Sequence, residues 1–292
     1  MEILLSQPEN KLKEKIICIV LCAGEGTRAR DIAVNIPKPL LKIKSLNNQS
    51  ILSLIVSNLK RLNLFPIVII TGHLGEQIAD FINTLQIKDK NLKENILIHS
   101  SGVRYKLGPL FSFLSVITNN QIFKKDKIYL IFPGDTIFDD EILQEILANL
   151  SEKYSQGVFN SIIFYRKIRA EILIKKLENY YPNRDKAISC LKIEEKDSKE
   201  IVKKITQKKL NSISSKEVIN QVIPIFMFNT AYVRIIKELA SPVRFRYIRE
   251  VVNVMIRKKM QFLAIPVNSE YEFYDIDTRI DLKILNKKKS GQ

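Results

Sequence analysis

The sequence predicts an α/β fold, a mostly parallel sheet with helices on both faces, and three observations carry that expectation. Segments of strand character alternate with segments of helical period through the first half of the chain. The strands read as continuous apolar runs, IICIVLCA at 16–23, FPIVIIT at 65–71 and KIYLIF at 127–132, with no wet face. Seven of the nine glycines fall between Gly24 and Gly134, most of them where a strand has just ended. Open α/β sheets bind ligands at those strand ends, so the first half is the candidate binding half.

Taken in order, residues 1–14 read as a loosely held extension with no convincing signal peptide. The first strand, 16–23, runs into a turn with two glycines. A helix follows from Ser50, a good N-cap, with Ile51, Ile55, Leu59 and Leu62 on one face. Next come the strand at 65–71, a helix over 76–85 burying Ile78, Phe81, Ile82 and Leu85, and a short strand at 95–99. Gly108 and Pro109 suit the start of another helix. The strand at 127–132 ends in Pro133-Gly134-Asp135, and Asp139 and Asp140 open the helix over 139–150.

The second half is less regular. Strands are expected at 157–165, 188–193, 201–206, 221–228 and 261–266, and helices at 231–239 and 246–257. Pro224 implies that its strand lies at an edge or carries a bulge. The stretch EFYDIDTRIDLKILN leads an acidic turn into a closing helix. There is no internal repeat, low-complexity tract or clear linker.

Composition narrows the function classes. At 292 residues and 46% hydrophobic the chain can bury a sizeable core, and no apolar run reaches membrane-spanning length. A cytoplasmic location is expected. Cys18 and Cys22, four apart on one strand, and Cys190 lack metal-ligand spacing and read as buried thiols. Lys and Arg number 47 against 31 Asp and Glu, a net charge of +16. The basic residues are scattered and no zinc-finger or RNP-type motif is present, so an anionic small substrate is expected rather than nucleic acid.

The chemistry concentrates between 16 and 43. Gly24-Glu25-Gly26-Thr27-Arg28 follows a buried strand, so backbone N–H groups can approach a polyanion closely. Arg28 and Arg30 add charge, and Pro37-Lys38-Pro39-Leu40 holds a lysine between two rigid residues. The spacing is neither G-x-G-x-x-G nor a P-loop. Asp135, beside Gly134 after a buried strand, is of the type that holds Mg²⁺ where phosphates converge.

An apolar strand, then A-G-x-G-T-R at 23–28, then P-K-P-L at 37–40, resembles the signature of the sugar-phosphate nucleotidyltransferases, with relatives acting on inositol and choline phosphates. The resemblance spans nearly the whole chain, about 15–285. It implies a Rossmann-like three-layer α/β/α fold with a mostly parallel mixed sheet. Residues 15–287 would form the nucleotidyltransferase domain, with a nucleotide half at 15–150 and an acceptor half with the closing helix at 151–287.

The resemblance also implies roles. Arg28 and Lys38 would be the catalytic cations. Leu21, Ala23, Gly24, Gly26, Thr27, Arg28, Gly108, Pro109 and Gly134 would bind the nucleotide, with Tyr105 or Lys106 reaching it. Asp135 and Asp275 would hold Mg²⁺, with Asp277 as an alternate ligand or a supporting acid behind them, a role compatible with its also capping the last helix. Phe273 stands where the family often has tryptophan. The stretch at 201–209 resembles a strand that ends in E-K-P in the family, here Gln207-Lys208-Lys209. Lys208 would then contact the acceptor phosphate, with Lys192 as its rival. The implied reaction joins an NTP to a sugar-1-phosphate or alcohol phosphate and releases pyrophosphate. A non-catalytic nucleotide-sensing or assembly subunit is the alternative, and a homo-oligomer is compatible with either.

Overall fold

The computed structural model describes residues 7–26, 35–158, 161–181, 186–241 and 243–289. The chain opens on helix α1 (Gln7–Lys15), which packs on a later helix and buries Leu12 at 1% exposure. That segment was expected to be loose; one apolar residue, Leu12, is enough to dock it. Strand β1 (Ile16–Leu21) follows directly. Short strands β2 (Lys42–Ile43) and β3 (Gln49–Ser50) form a separate pair. Helix α2 (Ile51–Arg61) starts at Ser50, whose side chain accepts the Ser53 N–H at 3.1 Å as its sequence position implies.

Strand β4 (Ile67–Thr71), helices α3 (Gly75–Lys88) and α4 (Lys90–Asn95), and strand β5 (Ile96–Ser100) come next. Helix α5 (Pro109–Leu114) precedes strand β6 (Ile128–Pro133), the short strand β7 (Thr136–Phe138) and helix α6 (Asp140–Ser155), on which α1 packs. The second half holds β8 (Ser161–Arg169), α7 (Ala170–Leu177), β9 (Ala187–Lys196), β10 (Lys199–Lys209), β11 (Val218–Asn229), α8 (Thr230–Leu239), α9 (Ile248–Arg257), β12 (Phe262–Pro266), β13 (Phe273–Asp275) and α10 (Arg279–Lys289).

Nine strands form one mixed sheet in the order β5-β4-β1-β6-β11-β8-β12-β10-β9. Pairing is parallel across β5, β4, β1 and β6, and again between β8 and β12. Strand β11 runs antiparallel to both β6 and β8. Pro224 therefore sits in the middle of the sheet, not at its edge, and the β11–β8 register shifts between Val222 and Phe226 to absorb it.

Alternation along β1 shows why there are three layers. Ile16, Cys18 and Val20 join the core under α1, α2, α3 and α6, whereas Ile17 and Ile19 join the core under α5, α8 and α9. Each such fully buried side chain contributes roughly 1.5–3 kcal/mol of apolar burial. A third, smaller core gathers Leu173 and Ile174 of α7 against Ile188, Leu210 and Ile219. The register leaves β1, β4 and β6 nearly flush at their carboxyl ends, with Leu21 beside both Ile70 and Pro133. No helix among the described residues is long and apolar enough to cross a membrane.

Candidate active site

The site forms where β1, β4 and β6 end. Three chain segments meet there because their backbones can touch. The Gly134 N–H donates to the Leu21 carbonyl at 3.0 Å, and the His73 N–H to the Ala23 carbonyl at 3.1 Å. A side chain at Gly134 would place its Cβ 2.6 Å from both the Leu21 carbonyl oxygen and Cys22 Sγ. Gly26 has φ +60°, and a Cβ there would press on Lys38 Cγ and Cδ at 3.3 Å. The glycine turn and the lysine of the P-K-P segment therefore lie against one another.

Lys38 is fixed by its local chain. A single 3₁₀ turn, Lys38–Leu40, starts after Pro37, and the Leu40 N–H closes it on the Pro37 carbonyl at 2.8 Å. The side chain is buried and its Nζ donates to Asp135 Oδ2 at 2.7 Å and Asp277 Oδ1 at 2.9 Å. Burial alone would pull the Lys38 ammonium towards neutrality. The two carboxylates outweigh it and hold the group charged, with its pKa above the usual lysine value.

Asp275 arrives from the other end of the chain. Strand β13 pairs antiparallel with β7, setting Asp275 opposite Thr136, and the Ile276 N–H donates to the Asp135 carbonyl at 3.0 Å. Thr136 Oγ1 also reaches Asp275 Oδ1 at 3.4 Å. One carboxylate oxygen each from Asp135, Asp275 and Asp277 falls within 4.8 Å of the others. Asp275 faces the open cleft and is reachable by water, yet protein crowds it closely. That desolvation, followed by the negative charges of Asp135 and Asp277, raises its pKa to about 7 against the relief given by Lys186 and Lys38. Three converging carboxylates with one amine between them form an all-oxygen donor set of the kind that suits a hard divalent cation.

Asp281 holds this corner in place. Its Oδ2 accepts the N–H groups of Asp277 at 3.1 Å and Thr278 at 2.9 Å, while Oδ1 accepts from the Tyr181 hydroxyl and Lys186 Nζ, both at 2.7 Å. The Asp281 N–H answers Thr278 Oγ1 at 3.4 Å. The cap at the start of α10 is thus made by Thr278 and Asp281, which leaves the Asp277 carboxylate for Lys38.

A cleft of about 540 Å³ runs from these acids into the second half. Leu21, Pro109, Asp275 and Asp277 border it. Gly108, not itself on the cleft wall, is buried with φ +111°, and a Cβ there would meet the Arg246 carbonyl oxygen at 2.7 Å. Gly24 has open space around it. Thr27, Arg28 and Arg30 lie outside the described residues.

Neither Lys208 nor Lys192 borders the cleft. Alternation along β10 turns Ile205 and Gln207 to the cleft and Lys208 to the opposite face, where it pairs with Glu217 at 2.8 Å. Lys192 is exposed on β9. Among the described residues, the cations that border the cleft are Arg166, Lys176, Lys186 and Arg249. Of these, Arg166 alone carried a signal in the sequence: a charge directly after the apolar run at 162–165. Cys22 lies behind the site, and burial followed by the charge of Asp135 pushes its thiol pKa far up, so it stays protonated and inert.

Residues 17–171 match the family model described as "Nucleotidyl transferase". The bifunctional protein GlmU of Methanococcus maripaludis is 32% identical over 129 residues, covering 44% of this chain and 26% of that protein. GlmU of Hydrogenovibrio crunogenus is 28% identical over 134 residues, 45% of this chain and 25% of its own length. The chain thus spans about a quarter of the length of these curated relatives. Among solved structures, a UDP-glucose pyrophosphorylase complexed with UDP-glucose superposes with a TM-score of 0.66 at 14% identity, over 94% of this chain and 99% of that one. The inositol-1-phosphate CTP transferase from T. maritima gives 0.62 at 15% identity, over 94% and 96%. At such identities the superpositions establish the fold.

Proposed function

The chain belongs to the nucleotidyl transferase family, a family of enzymes, and on that premise we propose that it joins an NTP to a sugar-1-phosphate or related alcohol phosphate. The products are the NDP-linked sugar or alcohol and pyrophosphate. The observation that carries this reading is the meeting of Lys38 with Asp135 and Asp277 at the end of β1, beside Asp275.

In this reading the glycine turn at Gly24–Gly26 cradles the NTP phosphates with backbone N–H groups, and Arg28 contributes a cation to them. Asp135, Asp275 and Asp277 would hold a divalent ion, Mg²⁺ in our proposal, which when bound neutralises phosphate charge as pyrophosphate departs. Lys38 is held charged beside the reacting phosphates. An oxygen of the acceptor phosphate forms the new bond to the α-phosphorus, and the bond from that phosphorus to the α,β-bridging oxygen breaks. The acceptor oxygen is already ionised at neutral pH, so no protein base is required. The contribution of the chain is positioning and preorganised charge, which dominate phosphoryl transfer. Such substrates fit a cytoplasmic setting.

A pyrophosphate-release screen over the four common NTPs, each with a panel of sugar-1-phosphates and of inositol and amino-alcohol phosphates, tests the proposal. Turnover with one pair and dependence on Mg²⁺ are expected. Binding of an NTP with no turnover across the panel would favour a nucleotide-sensing subunit instead.

A further inference from the structure

Arg166 stands on β8, and its side chain is only 2% exposed. A guanidinium so far from water needs partners for its five N–H donors. Nε donates to Gln221 Oε1 at 2.9 Å and Nη1 to the Tyr271 carbonyl at 2.5 Å. The Glu272 carboxylate stands 4.0 Å from Nη1, and the guanidinium carbon lies 5.0 Å from the centre of the Phe273 ring. Nη2 has no hydrogen-bond partner among the described residues. It is not among the donors sealed inside the protein without a partner, so it opens on the cleft that Arg166 borders. A planar fork fixed on one edge and unanswered on the other is built to take an oxyanion.

Two further facts say which oxyanion. Lys176 of α7 also borders the cleft and binds Glu272, the carboxylate nearest Arg166. Phe273, beneath Arg166, lies two residues before Asp275 on β13, so the strand that packs on Arg166 also carries one of the acids. Arg166 and Lys176, both from the second half of the chain, share the cleft with Asp275 and Asp277.

We infer that Arg166, with Lys176 beside it, anchors the phosphate of the acceptor, a phosphomonoester dianion. The inference rests on the nucleotidyl-transfer reading for the name of that anion. It moves the anchor from β10, where Lys208 faces away, to β8 and α7. Gln221, which holds Nε and also borders the cleft, sets the plane of the fork.

Arginine side-chain NMR on the full chain tests this with inorganic phosphate as the probe. The Arg166 Nε–Hε signal is identified by its NOE to the Phe273 ring and checked by its loss in R166K. Phosphate should shift that signal saturably in the wild type. K176Q should weaken the binding at least about five-fold, since a charge-assisted contact is lost, and K208A should leave it unchanged. A signal that phosphate does not move, or a loss of binding in K208A rather than K176Q, overturns the assignment. The readout does not depend on turnover. Phosphate bound at Arg166 in a chain that transfers no nucleotide would sink the functional reading and leave the anion site standing; active enzyme with an unresponsive Arg166 would do the reverse.

Discussion

Lys38 Nζ donates a 2.7 Å hydrogen bond to Asp135 Oδ2 across 97 residues of chain, and a second to Asp277 Oδ1, which borders the cleft. The ammonium stands among three carboxylates that together could hold a divalent ion. In the metal-free protein Lys38 is therefore their counter-ion as well as a candidate phosphate contact.

Removing that counter-ion leaves the acids facing one another. Lys38→Met should destabilise the metal-free protein by about 2–3 kcal/mol, below the cost of breaking a fully buried pair because Asp135 is partly solvated. Added Mg²⁺ should then raise Tm more in the variant than in the wild type. Thermal melts with and without EDTA measure this. Equal metal-induced shifts in the two proteins would mean that Lys38 and the ion do not share the carboxylates.

Asp135→Asn keeps the shape of the side chain but removes a charge from the proposed metal set. Mg²⁺-dependent turnover should fall by at least about 10³-fold, the scale of losing a preorganised electrostatic contact in phosphoryl transfer. The fold should persist, since Asp135 is held through its main chain by Ile276 and flanked by the buried β6. Circular dichroism and the pyrophosphate assay together decide it; retained activity in a folded variant removes Asp135 from the mechanism.

The two halves of the molecule were unequally legible in the sequence. Strands β1, β4 and β6 are buried on both faces and punctuated by glycine, so period and composition located them and the turn beside Lys38. Asp135 and Asp275 were found as the ends of short motifs. The acceptor side is less legible for a different reason. A single-residue choice of face on β10 decides whether Gln207 or Lys208 meets the cleft, and a charged strand with both faces polar gives no apolar pattern to fix it. Arg166 shows in the sequence only as a charge after an apolar run, because its partners, Gln221 and the Tyr271 carbonyl, come from segments 55 and 105 residues away. The helix α1 was missed because one buried leucine makes no periodic signal.

Asp281 lies in the stretch EFYDIDTRIDLKILN, and the structure gives it a specific task. It gathers the N–H groups of Asp277 and Thr278, the Tyr181 hydroxyl and Lys186 Nζ on one carboxylate. Asp281→Ala strands a mostly buried lysine and unpins the turn that carries Asp277. Stability should fall by about 3 kcal/mol or more, as for one partner lost from a buried pair. Metal affinity, followed by calorimetry with Mg²⁺ below the melting transition, should fall as well. A destabilised variant with wild-type metal affinity would show that Asp277 is held without this hub.

Gly134 offers a test of whether the site depends on backbone approach. An added methyl there would meet two obstacles at the same 2.6 Å, Cys22 Sγ and the Leu21 carbonyl oxygen. The thiol is a side chain and can be trimmed; the carbonyl belongs to β1 and cannot. Moreover, the Gly134 N–H bonds that same carbonyl, so relieving the clash means parting β6 from β1 just before Asp135. Gly134→Ala should therefore lower stability by about 2–4 kcal/mol, the range for overpacking that shifts main chain. Adding Cys22→Ala should recover little of it. Urea denaturation of the single and double variants measures both terms, and a double variant restored to near wild-type stability would place the constraint in the thiol rather than in the meeting of the two strands.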